Sequence, residues 1–140
     1  MGAKLRPLQL GVGVKGGGEI AGRLPQVILN ANHDYVVIKT DQRNAFNLLP
    51  RRSILEGLLD LCPELAKFFV LTHGSGSDLV FRGDVVGSNS KGTGQGNNGS
   101  SLYYCVGINN MLIEIRDMCM TVIRAQHAGG NVPAVYVSAL

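Results

Sequence analysis

The residue best suited to metal chemistry in this sequence is Asp41, which ends a β-branched stretch that begins at Tyr35. A nearly continuous apolar run such as 35–38 predicts a strand buried on both faces. A carboxylate at the end of such a strand is an oxygen ligand of the kind that Mg²⁺ requires. A strand-end Asp is also a common turn or helix-cap residue, so Asp41 alone does not decide between the two interpretations.

A second candidate is the glycine-rich segment 92–99, which stands immediately before the longest helical pattern. Backbone N–H groups at the start of a helix can form an anion site. A flexible connection is the simpler interpretation of the same residues. Gln95 and Gly96 lie within this segment.

A third candidate is the spacing Gly11-x-Gly13-x-x-Gly16, which is typical of a turn that binds the pyrophosphate of a dinucleotide. Asp41 would have to bind the ribose, but it lies farther along the chain than such motifs place their acid. Pro25 also falls inside the helix that should follow the turn. A nucleotide-binding module through the Gly11–Gly16 turn is therefore kept as an alternative function.

Composition limits the remaining function classes. The chain has 140 residues, of which 45% are hydrophobic and 16% charged, and a net charge of +3, which is typical of one globular domain with a weakly basic surface. Its three cysteines have neither disulfide nor metal-ligand spacing. Cys105 and Cys119 fall on one apolar helical stripe, which favours their burial in a reducing compartment, so we expect an intracellular protein. No apolar run approaches the roughly 18 residues that cross a bilayer, so we expect no membrane span. Residues 1–18 are basic and contain no acid, which is compatible with a mitochondrial location.

Helical periodicity occurs in three places. Residues 19–24 predict a short helix that Pro25 kinks or ends. Apolar residues recur in steps of four and three from Ile54 to Phe68, and Pro63 divides this run into two helices or kinks a single one. Residues 101–124 predict the strongest helix, with one apolar and one polar face. Its apolar stripe consists of Cys105, Ile108, Leu112, Ile115, Cys119 and Val122.

Strands are predicted between and around these helices. Residues 8–14 favour a short strand or an extended lead-in, residues 79–87 a β-hairpin that turns near Gly83-Asp84, and residues 132–140 a final strand. The mixed order predicts an α+β fold, with a small central sheet and a β-hairpin packed by three or four helices. We expect a single domain over 1–140, in which 1–18 form an extended, Gly-rich lead-in.

In order and spacing these pieces resemble the reverse transcriptases of non-LTR retroelements. Residues 9–17 (Gln-Leu-Gly-Val-Gly-Val-Lys-Gly-Gly) are similar to the glycine-containing segment that precedes the palm in that family. Residues 37–41, with 44–47 and Arg51, are similar to its first catalytic motif. Gly92 and Gln95-Gly96, followed by the long helix, are similar to its second motif. The resemblance implies that residues 19–140 form a palm-like core.

The resemblance also implies roles for individual residues. Asp41 matches the first of the carboxylates that hold two Mg²⁺ ions for nucleotide addition. Phe46 matches the aromatic ring that packs under the sugar of the nucleotide. Gln95 and Gly96 match residues that shape the template and nucleotide pocket.

The departures from the family pattern concern the remaining acids. The third motif of the family ends in two adjacent aspartates, whereas its best match here, residues 134–139, has Ser138 and Ala139 in their place. Asn97 replaces the acid that usually follows the second motif. One carboxylate cannot hold two divalent ions, so we expect no enzymatic activity and no cofactor, with Mg²⁺ bound only if a partner chain supplies further carboxylates.

The sequence thus predicts a catalytically inactive, reverse-transcriptase-derived protein that is a structural or RNA-contacting component of a larger assembly. A ribonucleoprotein such as a mitochondrial ribosome, with other protein subunits as partners, would suit this role. The main alternative is one piece of a split RNA-dependent DNA polymerase. The expected RNA contacts are the basic residues that flank the matched motifs: Lys15, Arg43, Arg51, Arg52 and Lys91.

Overall fold

The computed structural model of the protein describes residues 2–5, 8–31, 37, 42–94 and 96–126. Contacts group the chain into two compact units, Met1–Thr40 with Asn109–Leu140, and Asp41–Ile108. The described elements are, in chain order, α1 (Gly2–Leu5), α2 (Gly17–Ala31), α3 (Ala45–Leu48), α4 (Arg51–Leu61), α5 (Pro63–His73), β1 (Ser77–Phe81), β2 (Asp84–Asn89) and α6 (Ser100–Gln126). Helices and one antiparallel hairpin together make an α+β protein.

Two prolines set the starts of α4 and α5. Pro50 occupies the N-cap position of α4, and Pro63 is the first residue of α5, where a missing N–H removes no helical hydrogen bond. Cys62 lies between them with an extended backbone (φ −157°), and its N–H donates to the carbonyl of Leu58 at 2.8 Å. The apolar run from Ile54 to Phe68 therefore forms two helices, which confirms one of the two predicted arrangements.

The core of the second unit lies where α4, α5 and the first turns of α6 meet. Its buried members are Ile54, Leu58, Cys62, Ala66, Phe69, Tyr103 and Val106. Gly57 lets α4 approach α6 closely, because a Cβ atom at this position would overlap the carbonyl oxygen of Val106. The predicted steps of four and three thus place one face of each helix in a common core.

Three rings extend this core toward the end of α5. The His73 ring stacks on Phe69 with centroids 4.8 Å apart, and Tyr103 meets both rings edge-on at 5.0 and 5.5 Å. Nδ1 of His73 lies 2.7 Å from the hydroxyl oxygen of Thr72. Burial, and then the charge of Arg51, lower the pKa of His73 below its usual value of 6.5.

The β-hairpin contains a two-residue turn, Arg82-Gly83, in which both residues have positive φ (53° and 92°). Positive φ at both positions is the geometry of the type I′ turn that joins antiparallel strands tightly. Val86 is the extra residue of a bulge, since Leu79 pairs with Gly87 and Val80 with Val85. The hairpin was predicted at this place, and it is longer at both ends than residues 79–87.

The prediction that three or four helices pack on the hairpin is wrong for the residues that the structure describes. Every residue of β1 is exposed, and the large apolar side chains of the hairpin remain half exposed or more. The sequence pattern marks these residues as strand formers, but strand propensity does not specify which element covers them. The sheet within the described ranges contains β1 and β2 alone.

In the first unit, α2 continues through Pro25 from Gly17 to Ala31. Of the two predicted effects of Pro25, a kink or an end, the structure excludes the end: the ring removes one amide donor, but the turns on both sides remain helical. The predicted extended lead-in includes one helical turn, α1, and residues 10–14 contain no regular strand. Gln9 is buried, and its Nε2 donates to Oδ1 of Asn109 at 3.0 Å.

Helix α6 confirms the predicted helix and extends it to Ser100 and Gln126. Its apolar stripe is buried only at Cys105, Ile108 and Leu112, whereas Cys119 and Val122 are exposed. The expected burial of Cys119 is therefore wrong. A repeat of apolar residues defines a helix face, but it does not tell how far along the helix a covering surface extends.

Two predicted strands fall largely or wholly outside the described residues. Of residues 35–41 only Val37 is described, with a side chain that is 42% exposed. The predicted central strand otherwise lies outside the described residues and stays a prediction. Residues 132–140 lie outside the described ranges. None of the helices within those ranges has the length and hydropathy that crossing a bilayer requires.

Candidate functional site

The two matched segments on either side of the hairpin come together in the second unit. The N–H of Thr93 donates to the carbonyl of Phe46 at 2.8 Å, and the N–H of Gly92 donates to the carbonyl of Leu49 at 2.9 Å. Gly92 has φ +58°, and a Cβ atom there would overlap the Phe46 carbonyl oxygen. A glycine is thus required at residue 92 for the loop to reach α3.

Helix α3 positions Phe46 at this junction. Asn44 precedes the helix in a left-handed conformation (φ 53°), which Asn adopts more readily than most residues. Oδ1 of Asn44 accepts a 2.7 Å hydrogen bond from Nδ2 of Asn47, one turn later. The short helix is therefore held by local amide hydrogen bonds rather than by a deep core.

Phe46, Tyr104 and Gln42 form a cluster that we call the aromatic platform. The rings of Phe46 and Tyr104 lie 5.1 Å apart at an angle of 43°, and the Tyr104 hydroxyl donates to Oε1 of Gln42 at 2.7 Å. Both aromatic residues are half-buried, and Gln42 is exposed. The platform therefore presents aromatic carbon beside an amide, a combination on which a nucleobase can stack.

Exposed cations flank the platform. Arg43 follows Gln42 directly, and Lys91 precedes Gly92, whose backbone contacts α3. Arg52 is also exposed, but its guanidinium pairs with Glu56 at 2.8 Å, and this hydrogen bond raises the pKa of Arg52. Lys15 belongs to the first unit. Of the five predicted RNA contacts, Arg43 and Lys91 are exposed and stand next in sequence to Gln42 of the platform and to Gly92 of the loop that contacts α3.

Arg51 has a structural task that the sequence did not predict. Its guanidinium donates four hydrogen bonds to backbone carbonyls, listed by acceptor as His73 (2.7 Å), Ser75 (2.9 Å), Gly92 (3.0 Å) and Asn89 (3.1 Å). His73 is the last residue of α5, Ser75 and Asn89 lie at the two ends of the hairpin, and Gly92 begins the glycine-rich loop. These four bonds use four of the five N–H donors of the guanidinium, and the role of Arg51 as an RNA contact stays a prediction.

The loop before α6 is fixed by its own polar groups. Oγ of Ser100 donates to the carbonyl of Gly94 at 2.7 Å, and the N–H of Gly99 donates to Oδ1 of Asn97 at 3.1 Å. Thr93 is buried, and its hydroxyl oxygen has no hydrogen-bond partner among the described residues. Gly96 has φ +83°, a conformation suited to glycine. The described part of this loop therefore contains hydrogen bonds of its own, from Ser100 to Gly94 and from Gly99 to Asn97.

The Gly11–Gly16 turn has part of the geometry expected for a nucleotide site. Gly13 and Gly16 have positive φ, and a Cβ atom at Gly17, the first residue of α2, would overlap the carbonyl oxygen of Leu10. Glu19 lies in the first turn of α2 and pairs with Arg23 at 3.0 Å. A carboxylate at this position repels the pyrophosphate that such a helix start would bind.

Asp41 and Gln95, the predicted vestigial metal ligand and pocket residue, lie outside the described residues, as do Ser138 and Ala139. Among the described residues, no group of three or more His, Cys, Asp or Glu side chains is arranged to hold a metal ion. The vestigial roles of Asp41, Phe46, Gln95 and Gly96 stay predictions.

No family model, no curated protein and no solved structure matches this chain significantly. The resemblance to reverse transcriptases therefore rests on the sequence segments quoted above.

Sequence reasoning missed Tyr104. Its neighbours Tyr103 and Cys105 belong to the buried side of α6, and nothing in the spacing distinguishes the ring that contacts Phe46 from the ring that enters the core. An adjacent aromatic pair at the start of an amphipathic helix is a usable signal, because the two side chains point about 100° apart around the helix. One of two such rings therefore lies at the edge of the apolar face.

Proposed function

We propose that this protein is a catalytically inactive, reverse-transcriptase-derived component of a larger assembly, in which it has a structural role and contacts RNA. The observation that carries the proposal is the contact between the two motif segments, made by the Thr93–Phe46 backbone hydrogen bond and the Phe46–Tyr104 ring contact. Phe46 and Thr93, which are 47 positions apart in the sequence, thus meet at one surface.

The chemistry of the aromatic platform suits single-stranded RNA. Bases stack on aromatic rings, and the amide of Gln42 can hydrogen-bond a base edge or a ribose hydroxyl. Arg43 and Lys91, the exposed sequence neighbours of Gln42 and Gly92, would supply positive charge for the phosphates of the same strand. The net charge of +3 favours a local contact of this kind over a long electrostatic track.

A non-catalytic role follows from the count of carboxylates in the matched motifs. Asp41 would be the only acid of the metal site, because Asn97, Ser138 and Ala139 stand where acids are expected. Two Mg²⁺ ions at one site require several oxygen ligands with negative charge. A polymerase would need a partner chain to supply the remaining acids.

Membership of a larger assembly is supported by apolar side chains on the outer face of α5. Phe68 is 56% exposed and Leu71 is 83% exposed. Because they are three residues apart in a helix, they lie on the same side of α5. Exposed large apolar residues that lie together are typical of surfaces that contact another protein. A ribonucleoprotein, for example in mitochondria, would supply both this protein contact and the RNA.

RNA binding is tested by the fluorescence anisotropy of a labelled single-stranded RNA titrated with the purified protein. We expect Arg43→Ala and Lys91→Ala each to weaken binding and to reduce the slope of log K against log salt by about 1. Tyr104→Ala should weaken binding without changing that slope, since it removes stacking rather than charge. Lys67→Ala, an exposed cation on α5 away from the platform, is the matched control.

Equal effects of Lys67→Ala and Arg43→Ala would indicate unspecific attraction by net charge and would contradict the proposed platform. Loss of the circular-dichroism signal in Tyr104→Ala would make that variant uninformative about stacking, so Gln42→Ala, on an exposed residue, serves as the second test of the same surface. Unchanged affinity in Gln42→Ala, Arg43→Ala and Lys91→Ala together would overturn the RNA contact.

The absence of catalysis is tested by primer extension on an RNA template with Mg²⁺ and deoxynucleotides. We expect no extension by this chain alone. Extension by the purified chain would overturn the proposal. Extension that requires a second protein, and that Asp41→Ala abolishes, would instead establish the split polymerase.

A further inference from the structure

The outer edge of β1 is an unpaired strand edge with exposed side chains on both faces. Within the described residues β1 pairs with β2 only, and all five residues of β1 are exposed. Leu79 is 50% exposed, Val80 62% and Phe81 61%. A two-stranded hairpin is only marginally stable in water, and additional strands stabilise it.

The two edges of the hairpin differ in their suitability for pairing. The bulge at Val86 lies on β2, where it disturbs the strand and increases its twist, as protected edges commonly do. β1 contains no extra residue. Phe81 and Asp84 flank the two-residue turn and form a pair whose N–H and C=O groups point toward each other, between the strands. Because these groups alternate in direction along a strand, those of Val80 point away from β2. The outer edge of β1 is therefore regular, with the main-chain groups of Asp78 and Val80 pointing outward.

The residues along this edge are complementary to their own reversed order. From Asp78 to Arg82 the sequence is Asp-Leu-Val-Phe-Arg, an acid and a base around three apolar residues. If two copies pair antiparallel about Val80, Asp78 lies opposite Arg82 of the second copy, and Leu79 lies opposite Phe81 of the second copy. Both charge pairs are of opposite sign, and every apolar residue meets an apolar residue.

We propose that β1 is a self-association edge, at which two copies of this chain pair antiparallel about a two-fold axis through Val80 to form a four-stranded sheet. The arrangement is isologous, as in most homodimers, and it adds strands by main-chain hydrogen bonds. The inference is independent of the RNA contact, because the edge and the aromatic platform share no residue.

The charge pattern selects the second copy over an unrelated strand. In the unpaired chain the Arg82 guanidinium lies over the Phe81 ring, 5.3 Å from its centroid. Arg82 is the first residue of the turn just beyond β1, and among the described residues it forms no ion pair with Asp78 of the same copy. Each finds its counterion in the symmetric partner. The contact is small, so the dimer should be weak, with a Kd in the micromolar range or above.

The test is a charge exchange followed by sedimentation equilibrium over a range of protein concentrations. We expect Asp78→Arg and Arg82→Asp each to raise the dimer Kd by about tenfold or more, since each change acts at two symmetry-related pairs. The double variant D78R/R82D should restore the original Kd. Asp is acceptable at position 82, because the turn there is left-handed.

A matched pair of lysine variants tests the position of the axis. Val80→Lys places two ammonium groups opposite each other at the axis and should abolish dimers. Val86→Lys adds the same charge at a side chain of nearly the same exposure, 64% against 62%, and should leave the Kd unchanged. Far-UV circular dichroism confirms that each variant is folded.

Three results would overturn the inference: a monomer at every concentration for the unaltered chain, a double variant that does not recover the dimer, or equal effects of the two lysine variants. The last result would indicate association through exposed apolar surface in general. None of these outcomes bears on RNA affinity, which is measured at concentrations below the dimer Kd.

Discussion

Arg51 bonds to backbone carbonyls that belong to four different residues, and this arrangement makes the side chain hard to replace. A guanidinium offers five donors in several directions from one plane, whereas an ammonium has three donors on one atom and cannot bond to all four acceptors together. We expect Arg51→Ala to lower the free energy of unfolding by about 3 kcal/mol, because part-buried carbonyls lose charge-assisted donors. Arg51→Lys should have a free energy of unfolding between that of Arg51→Ala and that of the unaltered chain. Urea denaturation followed by circular dichroism measures this free energy for both variants.

The control for this prediction is Arg52→Ala. Arg52 follows Arg51 in the chain but is exposed, and its partner Glu56 lies four residues along the same helix. Exposed pairs of this type contribute little to stability. A loss in Arg52→Ala as large as that in Arg51→Ala would mean that helix α4 responds to any loss of charge, and it would contradict the role of the four carbonyls.

His73 should make stability depend on pH. Its pKa is lowered in the folded protein, by burial first and then by Arg51, so the unfolded chain binds a proton more readily. The stabilising preference for neutral His73 is complete above the unfolded pKa of about 6.5 and is lost as the pH falls from there toward the lower folded pKa. We expect the free energy of unfolding to decrease over this interval.

The variant His73→Phe isolates this effect. A phenyl ring can keep the stack on Phe69 and the edge contact with Tyr103, but it binds no proton. Urea denaturation at a series of pH values should give a shallower decrease below pH 6.5 for His73→Phe than for the unaltered chain. Identical slopes would show that the other ionisable groups, and not His73, cause the pH dependence.

At the scale of secondary-structure elements, Gly57 sets the separation of α4 and α6. Gly57→Ala would force its new methyl group against the backbone of Val106, so we expect a loss of about 2 kcal/mol in the free energy of unfolding. Gly22→Ala in α2 is the control, because its Cβ meets no atom within 4 Å. The control should raise stability by up to about 1 kcal/mol through helix propensity.

The elements that could be predicted from the sequence are those whose signals are local. The spacing from Ile54 to Phe68 together with Pro63 predicted two helices or one kinked helix, and the first of these is what α4 and α5 form. The stripe from Cys105 to Val122 predicted α6 but not which part of it is packed. The hairpin was predicted with its turn near Gly83-Asp84, and the turn lies one residue earlier, at Arg82-Gly83.

The features that could not be predicted depend on partners far away in the chain. The carbonyls that Arg51 binds carry no signal in the sequence, because every residue has a carbonyl. Pro25 was expected to kink or end α2, and the helix continues because the loss of one amide donor is smaller than the combined preference of the surrounding turns. The site was predictable in part: Phe46 and Gly92 were chosen from the resemblance, while Tyr104 and Gln42 emerged only from the fold.

At the scale of the whole molecule, apolar side chains serve two separate purposes. Leu58 is fully buried in the core, whereas Leu71 is 83% exposed one helix later. We expect Leu58→Ala to cost about 3 kcal/mol of unfolding free energy, and Leu71→Glu to change it by less than about 0.5 kcal/mol. If the outer face of α5 contacts other subunits, Leu71→Glu should also remove the tagged protein from large complexes in sucrose-gradient sedimentation.

The comparison of these two variants separates folding from assembly. A folded Leu71→Glu protein that still sediments with the complexes would contradict the proposed use of α5. A Leu71→Glu protein as unstable as Leu58→Ala would show that the exposed leucine is part of the core in solution.

The four carbonyls around Arg51 have a consequence for the hairpin that they flank. Ser75 lies before β1, and Asn89 and Gly92 lie at or beyond the end of β2, so the Arg51 side chain hydrogen-bonds to both ends of the hairpin. The two strands are therefore connected through Arg51 as well as through the turn. Trypsin cleavage after Arg82, at an exposed loop tip, should leave two fragments that migrate together under native conditions and separate only in denaturant.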